Sequence, residues 1–447
     1  MDYQIISAVI AGIALLLFLI LRLKIQAFLS LLVVCIVVGL LSGMPVNLIL
    51  ETMKEGMGST LGFVATVVGL GALFGGILEQ SGGAIRLADY LLKKTGQVNA
   101  SWAMVFTGFL VAIPVFFDVA FIILVPITYA LSRTTKKSLF LYALPLLAGL
   151  AITHAFIPPT PGPIAVAEIL GADLGWVIIF GILAGVPAAI LGGPVFARFI
   201  ASKITIEPIH FSESESPLED APSPALILTI IAVPIFLIVL NTLLTSELIF
   251  DLPEESGLSE VIVLLGHPFT ALIIANLLAW YFIGVKRGMS KEFLQKIGTK
   301  SFEAAGVIIL LTGAGGAFKQ VLIETGAGDM MASALENSLL NPLFFGFVIA
   351  ALVRILQGSA TVAMITSAGI TAPVLASANF SAPEIALIVI AIASGATGFS
   401  HVNDSGFWLV GKYLGLSEKQ TFRSWTLMTT IIAFAGLGAS WIIWILI

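Results

Sequence analysis

The residues best able to do chemistry in this 447-residue chain are ionisable side chains inside long apolar stretches. They are Asp118, His154, Arg354, His401 and Asp404. A charge at membrane depth is costly, so each such residue is a functional candidate by default. Carboxyl and imidazole groups exchange protons, and a guanidinium binds carboxylates. The set therefore indicates transfer of protons and of an organic anion.

The neighbours of Asp118 and Arg354 indicate what each could do. Phe116 and Phe117 directly precede Asp118. They would desolvate its carboxyl group, which suits that group to proton exchange. Arg354 precedes a helix interruption, where it either binds the carboxylate of a substrate or neutralises an acid within the fold.

The two histidines and Asp404 each allow two interpretations. His154 and His401 either take part in proton transfer or cap a broken helix by hydrogen bonding. Asp404 caps the helix that resumes at Ser405, contacts a ligand, or does both. The sequence offers no explanation for Lys319, another charge within an apolar run.

Small and polar residues near these charges complete the candidate site. A helix that resumes after a break presents free N–H groups and a partial positive charge, which suit a carboxylate. Hydroxyl and amide side chains suit the hydroxyls of a polyol acid. The expected substrate-binding residues are Phe117, Thr160, Gly162, Arg354, Gly358, Ser359, Thr361, Asn403, Asp404 and Ser405. The expected proton-coupling residues are Asp118, His154 and His401, and no metal-binding residue is expected.

The composition requires a membrane around these residues. Hydrophobic residues make up 58% of the chain, charged residues 11%, and the mean hydropathy is +1.08. Apolar runs of roughly 20 residues recur, each long enough to cross a hydrocarbon core of about 30 Å as a helix. The predicted spans are 5–21, 25–43, 57–79, 139–171, 174–199, 224–243, 259–284, 301–323, 383–415 and 424–447. We therefore expect an all-α polytopic membrane protein.

Two further apolar stretches predict re-entrant helical hairpins. Stretches 98–132 and 341–376 are interrupted near their middles, at residues 114–118 and 357–361. Each hairpin is expected to enter and leave the membrane on one face.

Two of the predicted spans are themselves broken. Span 139–171 breaks at residues 154–162, and span 383–415 breaks at residues 398–406. Backbone groups freed inside a membrane are tolerated only where protein or a water-filled cavity satisfies them. The two hairpins and two broken helices therefore predict where the substrate binds.

Basic residues are distributed unevenly among the loops. Most of the 21 lysines and arginines fall on one side of the predicted spans, which the positive-inside rule makes cytoplasmic. Both termini are then outside, in a bacterial inner membrane. The hydrophilic segment 202–223 is expected to be a flexible cytoplasmic linker.

The two halves of the chain resemble each other at a shift of 244 residues. Matching positions include Gly62 with Gly306, Gly69 with Gly313, Gly71 with Gly315, and Gly162 with Gly406. Glycines at helical spacing also recur because small residues allow close packing, which is the simpler interpretation. The matching breaks favour duplication, and because each half has five spans, the second copy must be inverted.

This repeat predicts two domains, each built from both halves of the chain. Residues 1–97 and 224–337 form the predicted scaffold, whose glycines are expected to permit close helix packing. Residues 98–201 and 338–447 form the predicted transport unit.

Five short motifs are spread over nearly the whole chain, at residues 58–63, 114–119, 158–163, 357–363 and 401–408. Together they resemble the gluconate permease (GntP-type) family of proton symporters. The resemblance implies uptake of gluconate and related sugar acids, in some cases glycerate-like acids or D-serine, with protons. The family is grouped with the ion transporter superfamily, which implies a dimer whose transport domain moves as an elevator. Asp118 and Thr160 stand where many members have glutamate and histidine.

We therefore expect a homodimeric, proton-coupled symporter of a small hydroxy-carboxylate in the lipid bilayer. The proton-motive force is the expected energy source, with no cofactor, because no Walker-type ATP-binding motif is present. No nucleic-acid partner is expected. The main alternative is a sodium-coupled symporter of a small organic anion, or of a D-serine or glycerate-like substrate, since broken helices also hold sodium. Matched hairpins argue against a passive channel, and the lack of H-E-x-x-H or G-x-S-x-G motifs argues against an enzyme.

Overall fold

The computed structural model describes residues 3–204, 206, 221–246, 257–327, 341–377 and 379–447. Helices form most of these ranges, and none of them contains a β-strand, which confirms the all-α expectation. Most of the predicted linker 202–223 lies outside the described residues, as do residues 328–340.

Twenty α-helices make up the described part of the chain. Those of the first half are α1 (Tyr3–Leu17), α2 (Ala27–Leu41), α3 (Val46–Gln80), α4 (Gly83–Thr95), α5 (Ala100–Val111), α6 (Phe117–Thr135), α7 (Phe140–Phe156), α8 (Pro161–Leu170), α9 (Leu174–Ile190) and α10 (Phe196–Ala201). Those of the second half are α11 (Pro224–Thr245), α12 (Gly257–Gly266), α13 (Pro268–Leu278), α14 (Lys291–Glu324), α15 (Pro342–Gln357), α16 (Ala360–Ala376), α17 (Ala382–Thr397), α18 (Ser405–Leu414), α19 (Glu418–Thr421) and α20 (Leu427–Leu446). A π-helical turn, Phe422–Thr426, joins the last two.

Within the described ranges, eight helical stretches are long and apolar enough to cross a membrane. They include the two longest helices, α3 with 35 residues and α14 with 34. The sequence predicted only 57–79 and 301–323 here, because charged residues in the first turns lower the hydropathy without ending the helix. At about 1.5 Å per residue, each helix is about 50 Å long, which exceeds the thickness of the hydrocarbon core.

The predicted interruptions are present. The first hairpin consists of α5 and α6 and breaks at residues 112–116, and the second consists of α15 and α16 and breaks at 358–359. The first broken helix consists of α7 and α8, and the second of α17 and α18. Gly358 has a φ of +93°, a backbone conformation that favours glycine.

The packing joins each hairpin to a broken helix of its own half. Helix α5 packs against α7, and α15 packs against α17. Helices α3 and α14 make the most extensive contact between any two described elements, and α2 and α13 pack beside them. The long pair α3 and α14 is therefore the surface against which the broken elements lie.

Two glycines of α3 allow the breaks to approach it. A Cβ atom on Gly75 would collide with the carbonyl oxygen of Pro114, in the first hairpin break. A Cβ atom on Gly71 would lie 3.0 Å from the carbonyl oxygen of Pro159, in the first broken helix. Gly62 and Gly306 have open space around them, so the prediction that they permit close packing is wrong.

Helix bounds also recur between the two halves. Helices α8 and α18 each have ten residues and begin at positions 161 and 405, which the shift of 244 residues superimposes. Helices α3 and α14 end at positions 80 and 324, which the same shift superimposes.

Candidate functional site

A cavity of about 580 Å³ lies where both hairpin breaks meet the second broken helix. The end of α7, two residues of α14 and the start of the last helix complete its walls. The predicted site residues that line it are Phe117, Asp118, His154, Arg354, Gly358, Ser359, Thr361, Asn403, Asp404 and Ser405. The predicted residues Thr160, Gly162 and His401 are not among its lining residues.

Three helices, α6, α16 and α18, begin at the cavity wall. The first N–H groups of a helix have no partner within it and carry a partial positive charge. In α16 the hydroxyl oxygen of Ser359 accepts a hydrogen bond from one of these groups, the N–H of Val362. In α18 the carboxylate of Asp404 accepts a hydrogen bond from the N–H of Gly406 at 3.0 Å. The other first-turn groups give the cavity a local field that favours anions.

Arg354 ties the second hairpin to the second broken helix. Its Nη2 atom lies 2.5 Å from Oδ2 of Asp404. Its Nε atom donates to the carbonyl oxygen of Gly398 at 3.4 Å, and Nη1 donates to the carbonyl oxygen of Gly358. Only 4% of Arg354 is exposed. This geometry fits the second of the two roles expected for Arg354, which is to neutralise an acid within the fold.

The carboxylate of Asp404 also accepts hydrogen bonds from its own segment. The hydroxyl of Ser400 donates to Oδ2 of Asp404, and Nε1 of Trp425 donates to Oγ of Ser400 at 2.6 Å. Because its Oδ1 also accepts the N–H of Gly406, Asp404 caps α18 as expected. Both oxygens of this carboxylate are therefore engaged by the protein.

Asp118 supplies a carboxylate that has no hydrogen-bond or ion-pair partner among the described residues. It lies in the first turn of α6, lines the cavity and is exposed there. The ring of the preceding Phe117 packs against Trp425, with 5.6 Å between ring centroids. Asp118 can therefore change its protonation state without breaking a contact within the described fold.

His154 lies at the end of α7 and lines the same cavity as Asp118. Its ring centroid lies 6.3 Å from that of Phe116 and 6.5 Å from that of Phe117. Its Nδ1 atom is buried and has no hydrogen-bond partner within the described part of the chain. An unpaired buried nitrogen costs free energy unless a ligand or water pairs with it.

The three predicted residues outside the cavity make other contacts. Thr160 donates from Oγ1 to the carbonyl oxygen of Ile157 at 2.6 Å. Gly162 faces Met364, whose sulfur would lie 2.7 Å from a Cβ atom at this position. Nδ1 of His401 lies 2.9 Å from the carbonyl oxygen of Phe399, a contact within its own break. Gly162 packs against α16, and Pro159 approaches Gly71 of α3. The break in the first broken helix therefore faces α3 and α16.

Sequence reasoning missed several lining residues, among them Ala304 and Ile308 of α14, together with Trp425 and Thr429. No polar or charged signal marks the two α14 residues. Trp425 was detectable in principle, as a tryptophan near a membrane span that requires a partner for its N–H group. The described residues contain no cluster of His, Cys, Asp or Glu suited to a metal ion.

A membrane protein that is helical over its described ranges, and whose interrupted helices meet at a cavity lined by charged and polar side chains, has the architecture of a secondary transporter. Comparison with known protein families agrees, because the family model described as GntP family permease matches residues 3–447. The chain belongs to the GntP permease family. It is therefore a multi-pass membrane transport protein and not an enzyme, as the sequence predicted.

Similar proteins cover nearly the whole chain. The low-affinity gluconate transporter of Escherichia coli K12 is 40% identical, over 96% of this chain and 95% of that protein. The gluconate permease of Bacillus subtilis 168 is 39% identical, over 96% of each chain. The inner membrane permease YgbN of Escherichia coli K12 is 38% identical, over 98% of each.

Two solved structures share the fold at low sequence identity. The antimetabolite efflux pump MtrF of Neisseria gonorrhoeae superimposes with a TM-score of 0.67 at 15% identity, over 92% of this chain and 93% of that one. The YdaH transporter of Alcanivorax borkumensis, described as having an unusual topology, gives 0.64 at 14% identity, over 89% of each chain. These likenesses confirm the fold alone.

Proposed function

We propose that this protein is a proton-coupled symporter that carries gluconate, or a related hydroxy-carboxylate, into the cell. The observation that carries the proposal is the meeting of three helix N-termini in a single cavity with the carboxylate of Asp118, which has no partner among the described residues. The helix N-termini attract the carboxylate of the substrate, and Asp118 carries the proton.

Several features support gluconate as the substrate. Two similar proteins from different bacteria are named for gluconate. The cavity, of about 580 Å³, has a volume typical of small-molecule sites. Ser359, Thr361, Asn403 and Thr429 line it with hydroxyl and amide groups that suit a polyhydroxy chain.

Electrostatic linkage explains why the anion and the proton would travel together. An ionised Asp118 shares the cavity with the anion and repels it, by about 1 kcal/mol at 4 Å in water and about 4 kcal/mol at an effective permittivity of 20. Protonation of Asp118 removes this repulsion. By reciprocity, a bound anion favours protonation of Asp118 to the same extent.

We propose an elevator mechanism in which residues 98–201 and 338–447 move against a scaffold of 1–97 and 224–337. The matching bounds of α8 with α18 and of α3 with α14 support the inverted repeat on which this division rests. We place the protein as a homodimer in the bacterial inner membrane with both termini outside. Its only energy source in this scheme is the proton-motive force.

Uptake by proteoliposomes tests the function directly. Labelled gluconate is supplied to vesicles under an imposed inward proton gradient, and in parallel under an inward sodium gradient at equal pH. We expect accumulation above equilibrium with the proton gradient alone, abolished by a protonophore. Accumulation driven by sodium alone would support the sodium-coupled alternative, and entry that never exceeds equilibrium would support a channel.

A further inference from the structure

A second cavity, of about 310 Å³, lies between α3, α14 and the first hairpin break. Phe116, Val119 and Ala304 line both this cavity and the main one. These three side chains are therefore shared walls between the two spaces.

The face of α14 connects the two cavities. Residues 296, 300, 304 and 308 are spaced by four, so their side chains lie along one face of the helix. Lys296, Lys300 and Ala304 line the second cavity, whereas Ala304 and Ile308 line the main one. This face of α14 thus carries cationic groups at the second cavity and apolar groups at the main cavity.

The second cavity carries more positive than negative charge. Lys296 and Lys300 are exposed, and neither forms an ion pair with a described residue. The acidic residue on the lining is Glu79 of α3, whose Oε1 accepts a hydrogen bond from Gln80 at 3.2 Å. Two cations facing one carboxylate raise the local concentration of anions.

We propose that this second cavity is a cytoplasmic vestibule that binds the transported hydroxy-carboxylate on its way out of the main cavity, with Lys296 and Lys300 as its anion-binding groups. This inference rests on the proposed function. Lys296 and Lys300 are among the basic residues on the side of the predicted spans that the positive-inside rule makes cytoplasmic. Phe116, Val119 and Ala304 separate the vestibule from the main cavity.

Inverted and right-side-out membrane vesicles test the vestibule, because they report the KM for gluconate at the cytoplasmic and outer faces separately. At low salt, the double variant Lys296→Gln/Lys300→Gln is expected to raise the cytoplasmic-face KM about tenfold, because it removes two positive charges that lie close to the bound anion. The outer-face KM should stay unchanged, and high salt should shrink the effect. Lys291→Gln is the matched control, since Lys291 lies on the same helix outside both cavities.

Glu79→Gln provides a second test with the opposite sign, because removing the vestibule carboxylate should lower the cytoplasmic-face KM. A cytoplasmic-face KM within twofold of wild type in the lysine double variant, or an equal rise at both faces, overturns the vestibule. If that double variant is inactive, an unchanged cytoplasmic-face KM in Glu79→Gln overturns the vestibule instead. Wild-type vesicles that take up no gluconate from either side would overturn the proposed function as well, whereas normal wild-type transport with unshifted variants overturns the vestibule alone.

Discussion

The guanidinium of Arg354 lies 2.5 Å from the carboxylate of Asp404, and both groups are buried. Fifty residues separate them in the chain, and the pair joins the tip of the second hairpin to the second broken helix. Because Asn403 also donates to the carbonyl oxygen of Ile355 at 3.0 Å, the two segments are attached at adjacent positions. The second hairpin and the second broken helix therefore form one structural unit.

Removing one member of this pair should destabilise the protein more than removing both. A buried charge left without its partner costs about 3–5 kcal/mol. We expect Arg354→Gln and Asp404→Asn each to lower the midpoint of thermal unfolding in detergent, and the double variant to recover part of the loss. Strictly additive losses in this double-mutant cycle would contradict the coupling.

Asp118→Asn should uncouple transport from the proton gradient. The amide keeps the shape of the carboxyl group but cannot titrate, so proton-driven accumulation is lost while binding and exchange of gluconate persist. Wild-type affinity should weaken as pH rises through the titration of Asp118, because the ionised group repels the anion, and the affinity of the variant should not. Asp89→Asn, at an exposed ion pair with Lys93, is the control. Gluconate uptake by Asp118→Asn that still moves protons in step would refute the assignment.

His154 should pair with a hydroxyl group of the substrate. Its buried Nδ1 has no protein partner among the described residues, so a ligand hydrogen bond would relieve that cost. We expect His154→Leu to weaken gluconate binding about tenfold in calorimetry, the loss of roughly 1–2 kcal/mol. His267→Leu is the control, because His267 caps α13 and does not line the main cavity. Unaltered affinity in His154→Leu would show that the nitrogen contributes nothing to binding.

Gly75→Ala should disturb the contact between α3 and the first hairpin. The new methyl group would collide with the carbonyl oxygen of Pro114, and such overpacking typically costs about 1–3 kcal/mol. Gly62→Ala, in the same helix but facing open space, should stabilise the protein by up to about 1 kcal/mol. Thermal unfolding of the two variants measures the difference, and equal midpoints would contradict the close approach.

Cross-linking should separate motion of the whole unit from local gating. In a Cys35→Ala background, which removes the only native cysteine, one pair joins Phe344→Cys to Trp441→Cys, positions whose native ring centroids lie 4.8 Å apart within the proposed transport unit. A second pair joins Val119→Cys to Ala304→Cys, between the first hairpin and α14. A short bifunctional thiol reagent should spare transport in the first pair and arrest it in the second. Equal activity of both cross-linked forms would favour gating about a stationary site.

The sequence was most informative where a residue type forbids a regular helix. Pro114 and Gly358 mark the hairpin breaks, and the cost of a charge within the membrane is enough to single out Asp118 and Arg354. The pairing of Arg354 with Asp404 was not predictable, because it depends on how two distant segments pack.

The asymmetry of the site was also not predictable from the sequence. At the predicted shift, Thr160 corresponds to Asp404, and both were expected to be substrate-binding residues. Gly71 and Met364 instead pack against the first broken helix, and that packing turns Thr160 away from the cavity. A pattern of residue types identifies where a helix breaks but not which way the break faces.

The contribution of α14 to the main cavity consists of Ala304 and Ile308, both apolar. Among the described residues, every side chain on the cavity wall that can form a hydrogen bond therefore belongs to the elements that would travel with the substrate. Movement past Ala304 and Ile308 exchanges only dispersion contacts, each worth about 0.1–0.2 kcal/mol per atom pair, and breaks no hydrogen bond to the substrate. This part of α14 would therefore change the energy of the bound substrate little as the substrate passes it. Recognition and translocation would then be tuned by different residues.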